Sequence, residues 1–139
     1  MKQFVLTAIG AAGTFIAAAL GGWDTAIITL CVFMCVDLIT GWIVAGVFHK
    51  SKKSASGGLK SQEGFKGLCR KCTILLLVIV ANLLDQQTGA TYIRDGVCIA
   101  FMANELLSIV ENASLMGVPI PAVIRKALDI LQTKQESES

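Results

Sequence analysis

The sequence predicts an all-α, polytopic membrane protein with three or four transmembrane helices and a C-terminal amphipathic helix. Of its 139 residues, 54% are hydrophobic and only 16% are charged, and the mean hydropathy is +0.67. A soluble chain would show polar residues at helical spacing in every long segment, but residues 4–22 and 25–48 do not. A chain of this length is expected to form a single membrane domain over residues 1–139.

The first segment, residues 4–22, is an uncharged run rich in Ala and Gly. Three alanines at 17–19 resemble a signal-peptide cleavage site, but Lys2 alone is a thin basic region, so a retained transmembrane helix is expected. Small residues recur every four positions, which lets helix backbones approach closely in lipid; alternatively, Ala and Gly are simply common in membrane helices. The residues predicted to pack between protomers are Gly10, Gly13, Ala17 and Gly21, together with Gly41 of the second segment.

The second segment, residues 25–48, contains one charged residue, Asp37, followed at helical spacing by Thr40. Its length of about 36 Å as a helix is enough to cross a hydrocarbon core of about 30 Å. A carboxylate near the bilayer centre costs about 2.5–3.5 kcal/mol on insertion scales, so it normally faces protein or water. Asp37 therefore either hydrogen-bonds to a neighbouring helix and fixes packing, or lines an oligomeric passage.

The connection over residues 50–71 is strongly basic and holds seven of the 12 Lys and Arg residues. By the positive-inside rule it is cytoplasmic. Nucleic-acid binding is not expected, since the cluster is short and flanked by membrane segments. A Ser- and Gly-rich break precedes an amphipathic lead-in from Ser61, on which Lys66, Arg70 and Lys71 are expected to face lipid headgroups.

The third and fourth segments are more polar than the first two. The third, residues 72–88, has an apolar run of only 13 residues at 72–84, which is short for a span. It can cross if Arg70 and Lys71 snorkel at one end and Asn82, Asp85 and Gln86 are sheltered by protein at the other. The fourth, residues 92–115, is predicted to be a transmembrane or an interfacial helix. Its polar side chains fall within an arc of about 120° on a helical wheel, so they line a pore, pack against helices, or lie in the headgroup region. These residues are Asn104, Glu105, Ser108, Glu111 and Asn112.

Pro119 and Pro121 precede the last element, an amphipathic helix over residues 121–134. Its apolar side suits a membrane surface or a partner helix, and the polar tail from Thr133 is expected to be disordered. Four spans beginning at a cytoplasmic Lys2 would place the C-terminus in the cytoplasm. Three spans, with the first or the fourth segment on the surface, is the alternative.

The residues for enzymatic chemistry are missing from the sequence. His49 is the single histidine, there is no glycine-rich phosphate loop, and the CxxC at 69–72 has no second CxxC to complete a zinc site. We therefore predict no enzyme activity, no cofactor and no metal.

Four blocks of residues resemble the toxin-secretion and phage-lysis holin family of small membrane proteins. In order along the chain they are VDLITG (36–41), GFKGL with RK (64–71), ANLLD (81–85), and ANELLSIVENA with GVPIP (103–121). The resemblance covers residues 23 to about 131, and the fourth block is the most specific.

The resemblance implies a protein that accumulates in the bacterial cytoplasmic membrane, forms homo-oligomers and opens a lesion at a programmed time. Through the lesion a folded cargo, an endolysin or in some relatives a toxin, leaves the cytoplasm and the host cell lyses. Two alternatives are an ion or proton channel using Asp37 and Glu105, and a structural or regulatory membrane subunit.

Overall fold

The computed structural model describes residues 1–51, 57, 58 and 60–138, and it confirms the all-α fold class. The described residues form five helices and no strand. They are α1 (Lys2–Ala19), α2 (Thr25–Gly46), α3 (Ser61–Thr88), α4 (Ile93–Leu115) and α5 (Ala122–Glu138). By length and composition, α1, α2 and α3 are candidate membrane spans. Part of the predicted basic connection, including Lys52 and Lys53, lies outside the described residues.

Helix α1 makes few contacts with the rest of the protomer. None of its residues is buried, and it packs only against α3 among the other helices described. The chain then turns through Gly21 and Gly22, whose φ angles are +90° and +106°, a conformation that favours glycine. A bare apolar helix would be unstable in water, so the surface of α1 suits lipid.

Helix α3 is a single rod of 28 residues. The predicted lead-in and the predicted third span are therefore continuous, and the helix is about 42 Å long. It ends at Gly89, which adopts a left-handed conformation with φ of +75°. The apolar run at 72–84 is short, but the lead-in extends the same helix, which is long enough to be a candidate span.

Helix α4 is the central element, since it packs against α2, α3 and α5. The apolar core lies between α2, α3 and α4 and includes Leu30, Met34, Val78, Cys98 and Met102. Helix α4 is not a candidate span by length and composition. It packs, however, against α2 and α3, which are both apolar enough to span a membrane.

Helix α5 lies on α4 with Leu128 buried against it, while Val123 and Ile130 remain exposed. The expectation of a disordered tail from Thr133 is wrong for the described residues, because α5 continues to Glu138. The residues after Thr133 include Lys, Gln and Glu, which are good helix formers and extend a helix already nucleated upstream.

Candidate functional site

Three charged side chains from three helices meet inside the protomer. Lys71 Nζ of α3 lies 2.6 Å from Asp37 Oδ2 of α2 and 2.7 Å from Glu105 Oε2 of α4. Asp37 is only 5% exposed and Glu105 only 6%. We call Asp37, Lys71 and Glu105 the charged layer. Buried charges are tolerated when they are paired and hydrogen-bonded, as they are here.

The side-chain amide of Asn112 completes the shell of the Asp37 carboxylate, and the Thr40 hydroxyl holds that amide. Asn112 Nδ2 of α4 donates to Asp37 Oδ1 at 3.0 Å and to Thr40 Oγ1 at 2.9 Å. The Thr40 hydroxyl donates in turn to the carbonyl of Val36 at 2.8 Å. The carboxylate is therefore held by α3 on one oxygen and by α4 on the other.

Helical register explains why these residues meet. On α2 the buried positions other than Ala45 are Ile27, Leu30, Met34, Asp37 and Val44, which are three, four or seven residues apart and therefore lie on one helix face. On α3, Lys71 precedes buried Val78 and Asn82 by seven and eleven positions. On α4, Cys98, Met102 and Glu105 follow the same rule. Each buried stripe thus carries one charge into the same layer.

A cleft of about 370 Å³ reaches the charged layer from the end of the bundle where α2 ends and α3 begins. Its wall mixes both signs of charge with Trp42. Besides the charged layer, the charged lining residues are Lys60, Glu63, Arg70 and Glu111. A cleft of this size admits several water-sized molecules, so it gives polar species a route to the charged layer.

The polar stripe predicted on α4 divides between three environments. Glu105 and Asn112 join the interior network, whereas Ser108 and Glu111 line the cleft. Asn104 is exposed and does not line the cleft. Which of these side chains line a pore or pack in an assembly stays a prediction.

A second polar cluster closes the opposite end of the bundle around Arg94. The Arg94 guanidinium donates to both carboxylate oxygens of Asp24, at 2.9 and 3.0 Å, and to the carbonyls of Leu20 and Gly22. Asp24 also accepts from the backbone N–H of Ile27 and so caps α2. The hydrogen bond from Arg94 holds the pKa of the Asp24 carboxyl below its ordinary value. Arg94 thereby joins the α1–α2 turn to the start of α4.

Asn82 and Asp85 of α3 also form hydrogen bonds at this end of the bundle. The Asn82 side chain donates to the carbonyl of Ala19 at 3.1 Å. Asp85 accepts from the backbone N–H groups of Ile93 and Arg94 at 2.9 and 3.0 Å, and a carboxylate at a helix N-terminus is stabilising. Both side chains contact protein, as their place in a membrane segment requires.

The small residues proposed for protomer contacts also lie in different surroundings. A Cβ added at Gly10 or Gly13 would meet no atom within 4 Å, so this face of α1 is open. Gly21 instead lies against Arg94, and a Cβ added at Gly41 would lie 3.8 Å from Asn112 Nδ2 of the same protomer. A contact between protomers at any of them stays a prediction.

Sequence reasoning missed the roles of Lys71 and Arg94. We expected Lys71 at the headgroups, but its side chain is only 12% exposed and lies between two carboxylates. Its basic neighbours suggested a surface position, whereas its register with Val78 and Asn82 was the signal for burial. For Arg94, the signal was Asp24, an N-cap acid positioned just before an apolar helix. In the described parts of the chain, no three His, Cys, Asp or Glu side chains form a group that could hold a metal ion.

Together these features define a small helical membrane protein that keeps a charged layer inside the protomer and presents apolar surfaces outside. The chain belongs to the bacteriophage holin family, which it matches over residues 14–133. Membership in this family links the chain to phage lysis and implies membrane association and oligomerisation.

Several relatives support the assignment. The chain is 34% identical over 105 residues to a probable holin of Bacillus phage phi105, covering 75% of this chain and 72% of that protein. It is 38% identical over 124 residues to an uncharacterised protein of Clostridium perfringens, covering 88% and 86%. A 14.9 kDa protein of Clostridium perfringens is 34% identical over 135 residues, covering 96% of both chains. No solved structure matches the chain significantly.

Proposed function

We propose that this chain is a holin that oligomerises in the bacterial cytoplasmic membrane and opens a lesion that releases an endolysin, or a toxin, at a programmed time. The match to the bacteriophage holin family over residues 14–133 carries the proposal. It is supported by three apolar helices of sufficient length and by exposed apolar surface on α1 and α2. The protein acts by permeabilisation and needs no enzymatic step.

The proposed orientation places the basic connection and the C-terminus in the cytoplasm. Lys60, Lys66 and Arg70 lie at or near the start of α3, and basic residues next to membrane helices remain on the cytoplasmic side. With α1, α2 and α3 spanning, Lys2 would be cytoplasmic and α3 would exit on the outer side. Helix α4 must then return through the membrane, shielded by α2 and α3, if the C-terminus is to be inside.

We assign the polar side chains to assembly and opening. In the lesion they would line water or hold helices together: Asp37, Thr40, Asn82, Asp85, Asn104, Glu105, Ser108, Glu111 and Asn112. In lipid, exposed polar groups are costly. In an oligomer, these groups can contact a neighbouring protomer or water in place of lipid once the helices separate.

A small ion or proton channel is the second candidate, favoured by one observation. The charged layer lies at the inner end of a cleft that also carries other charged side chains on its wall, an arrangement that suits selective passage of small ions as well as it suits a closed holin. The two functions differ in what crosses the membrane, because only a lesion admits a folded protein.

The deciding experiment is induced expression in a bacterial host that carries a cytoplasmic reporter enzyme, with and without a co-expressed endolysin. A holin gives abrupt loss of viability when expressed alone, and reporter release with lysis when the endolysin is present. An endolysin expressed without this chain is the control. Potassium loss while the endolysin stays inside intact cells would support the channel and contradict the holin.

A further inference from the structure

The charged layer has one more negative group than positive ones. Lys71 supplies a single ammonium to two carboxylates, Asp37 and Glu105, and all three groups are largely buried. Each group belongs to a different helix. Any movement that separates α2, α3 and α4 must therefore part Lys71 from at least one carboxylate.

We propose that Lys71 locks the closed protomer, and that opening the lesion requires it to release Asp37, Glu105 or both. This inference rests on the proposed function and specifies how the closed state is held. Lys71 is a positioning residue, since it acts by keeping three helices together.

The packing shows why the lock depends on Lys71. Helices α2 and α3 contact each other far less than each contacts α4, so the ion pair between Lys71 and Asp37 is a principal bridge between them. Asn112 ties α4 to the other oxygen of Asp37 and to Thr40. Removal of the ammonium would leave two buried carboxylates facing each other, and breaking a buried charge pair from one side is strongly destabilising.

The position of the cleft makes the lock reversible. The cleft leads from one end of the bundle to all three members of the charged layer. When the helices part, water entering by this route can hydrate the freed charges, which lowers the cost of the open arrangement. Ser108 lies half-buried on the cleft wall, so its accessibility reports on the separation, whereas Ser114 of the same helix is already exposed in the closed protomer and does not line the cleft.

The test measures thiol accessibility in the full chain, purified without native cysteines and reconstituted in phosphatidylethanolamine and phosphatidylglycerol vesicles. Ser108→Cys is the probe, and Ser114→Cys is the matched control. With Lys71→Met, we expect the labelling rate at position 108 to rise about tenfold or more relative to position 114. With Lys71→Arg, which keeps the charge, we expect the parental rate.

A charge-neutral rescue separates unlocking from misfolding. In Asp37→Asn/Lys71→Met/Glu105→Gln no uncompensated charge remains, so the labelling rate should return to within about twofold of the parent. Equal labelling of Lys71→Met and parent would overturn the lock, as would a triple variant labelled as fast as Lys71→Met.

Timing of lysis in cells distinguishes the lock from the proposed function. Lys71→Met should permeabilise cells earlier than the parent at equal membrane abundance, and the triple variant should not. If the labelling changes occur as expected but the unsubstituted chain never releases an endolysin, the lock stands and the holin proposal fails. If the parent lyses cells and Lys71→Met neither advances lysis nor changes labelling, the lock fails and the holin proposal stands.

Discussion

The guanidinium of Arg94 forms hydrogen bonds to several groups of the turn between α1 and α2. It is 6% exposed and donates to the Leu20 and Gly22 carbonyls and to both oxygens of Asp24. A planar guanidinium can do this because its N–H groups form a rigid fork. A lysine at the same position would supply the charge without the geometry.

Replacing Arg94 with Lys should therefore destabilise the folded protein by about 2–3 kcal/mol, the scale of charge-assisted hydrogen bonds lost at a buried site. The measurement is the thermal or denaturant midpoint in detergent. Arg125→Lys, at an exposed position on α5, is the control and should leave the midpoint unchanged. Equal midpoints for all three proteins would show that the cluster contributes little.

The Asp24 carboxyl should make stability depend on pH at the acid end. Its pKa lies below the ordinary value of 3.8, chiefly because Arg94 donates to it. A lowered folded-state pKa means that this contribution is fully present above about pH 3.8 and is lost as the pH falls through the lowered pKa. Asp24→Asn should reduce the acid-side slope of the unfolding midpoint, whereas Asp129→Asn, on exposed α5, should not.

Single-residue roles were only partly predictable from the sequence. The position of Asp37 in an apolar helix indicated that it must be sheltered, and the register of α3 held the information that Lys71 is buried. The sequence did not show which side chains form ion pairs, because a helical wheel shows which residues share a helix face but not which helix packs against that face. Lys71 was expected at the membrane surface because its neighbours are basic, and its two carboxylate partners lie 34 residues before and 34 residues after it in the chain.

At the scale of helices, α1 differs from the rest because it has almost no packing within the protomer. Its glycines at 10 and 13 have open space where a side chain would be, and Phe4, Phe15 and Ile16 are exposed. The existence of this helix followed from composition. Its isolation did not, because lipid-facing and protein-facing apolar residues look alike in a sequence.

Gly13→Leu should reduce oligomer formation if the small-residue face of α1 packs between protomers. A Cβ added at position 13 meets no atom of its own protomer within 4 Å, so a loss of assembly is expected to report on contacts with another copy. The measurement is the cross-linked ladder from membranes at matched expression. Ile16→Leu conserves side-chain volume and should leave the ladder unchanged; identical ladders for both variants would remove this face from the assembly.

At the scale of the whole molecule, the two ends of the bundle carry different clusters of polar side chains. An apolar core and the Arg94 cluster close one end, and the charged layer with its cleft occupies the other. The all-α class and the candidate spans were predictable from hydropathy. The central place of α4 was not, because a helix with this much polar surface is covered only by specific packing against α2 and α3.

The proposed orientation of the molecule rests on the positive-inside rule and can be tested on one helix. Ser61 and Gln87 lie at opposite ends of α3 and both are exposed, about 39 Å apart along the helix axis. Lys60, Lys66 and Arg70 cluster near the first of them, so this end is expected in the cytoplasm.

In a background without native cysteines, Gln87→Cys should react with a membrane-impermeant thiol reagent in intact spheroplasts before any lysis. Ser61→Cys should react only after the membrane is opened with mild detergent. Because both thiols are on one continuous helix, labelling of both in intact cells would mean that α3 does not cross the membrane. Labelling of position 61 alone would invert the topology and place the charged layer's cleft on the outer side, where a lesion would have to open from outside the cell.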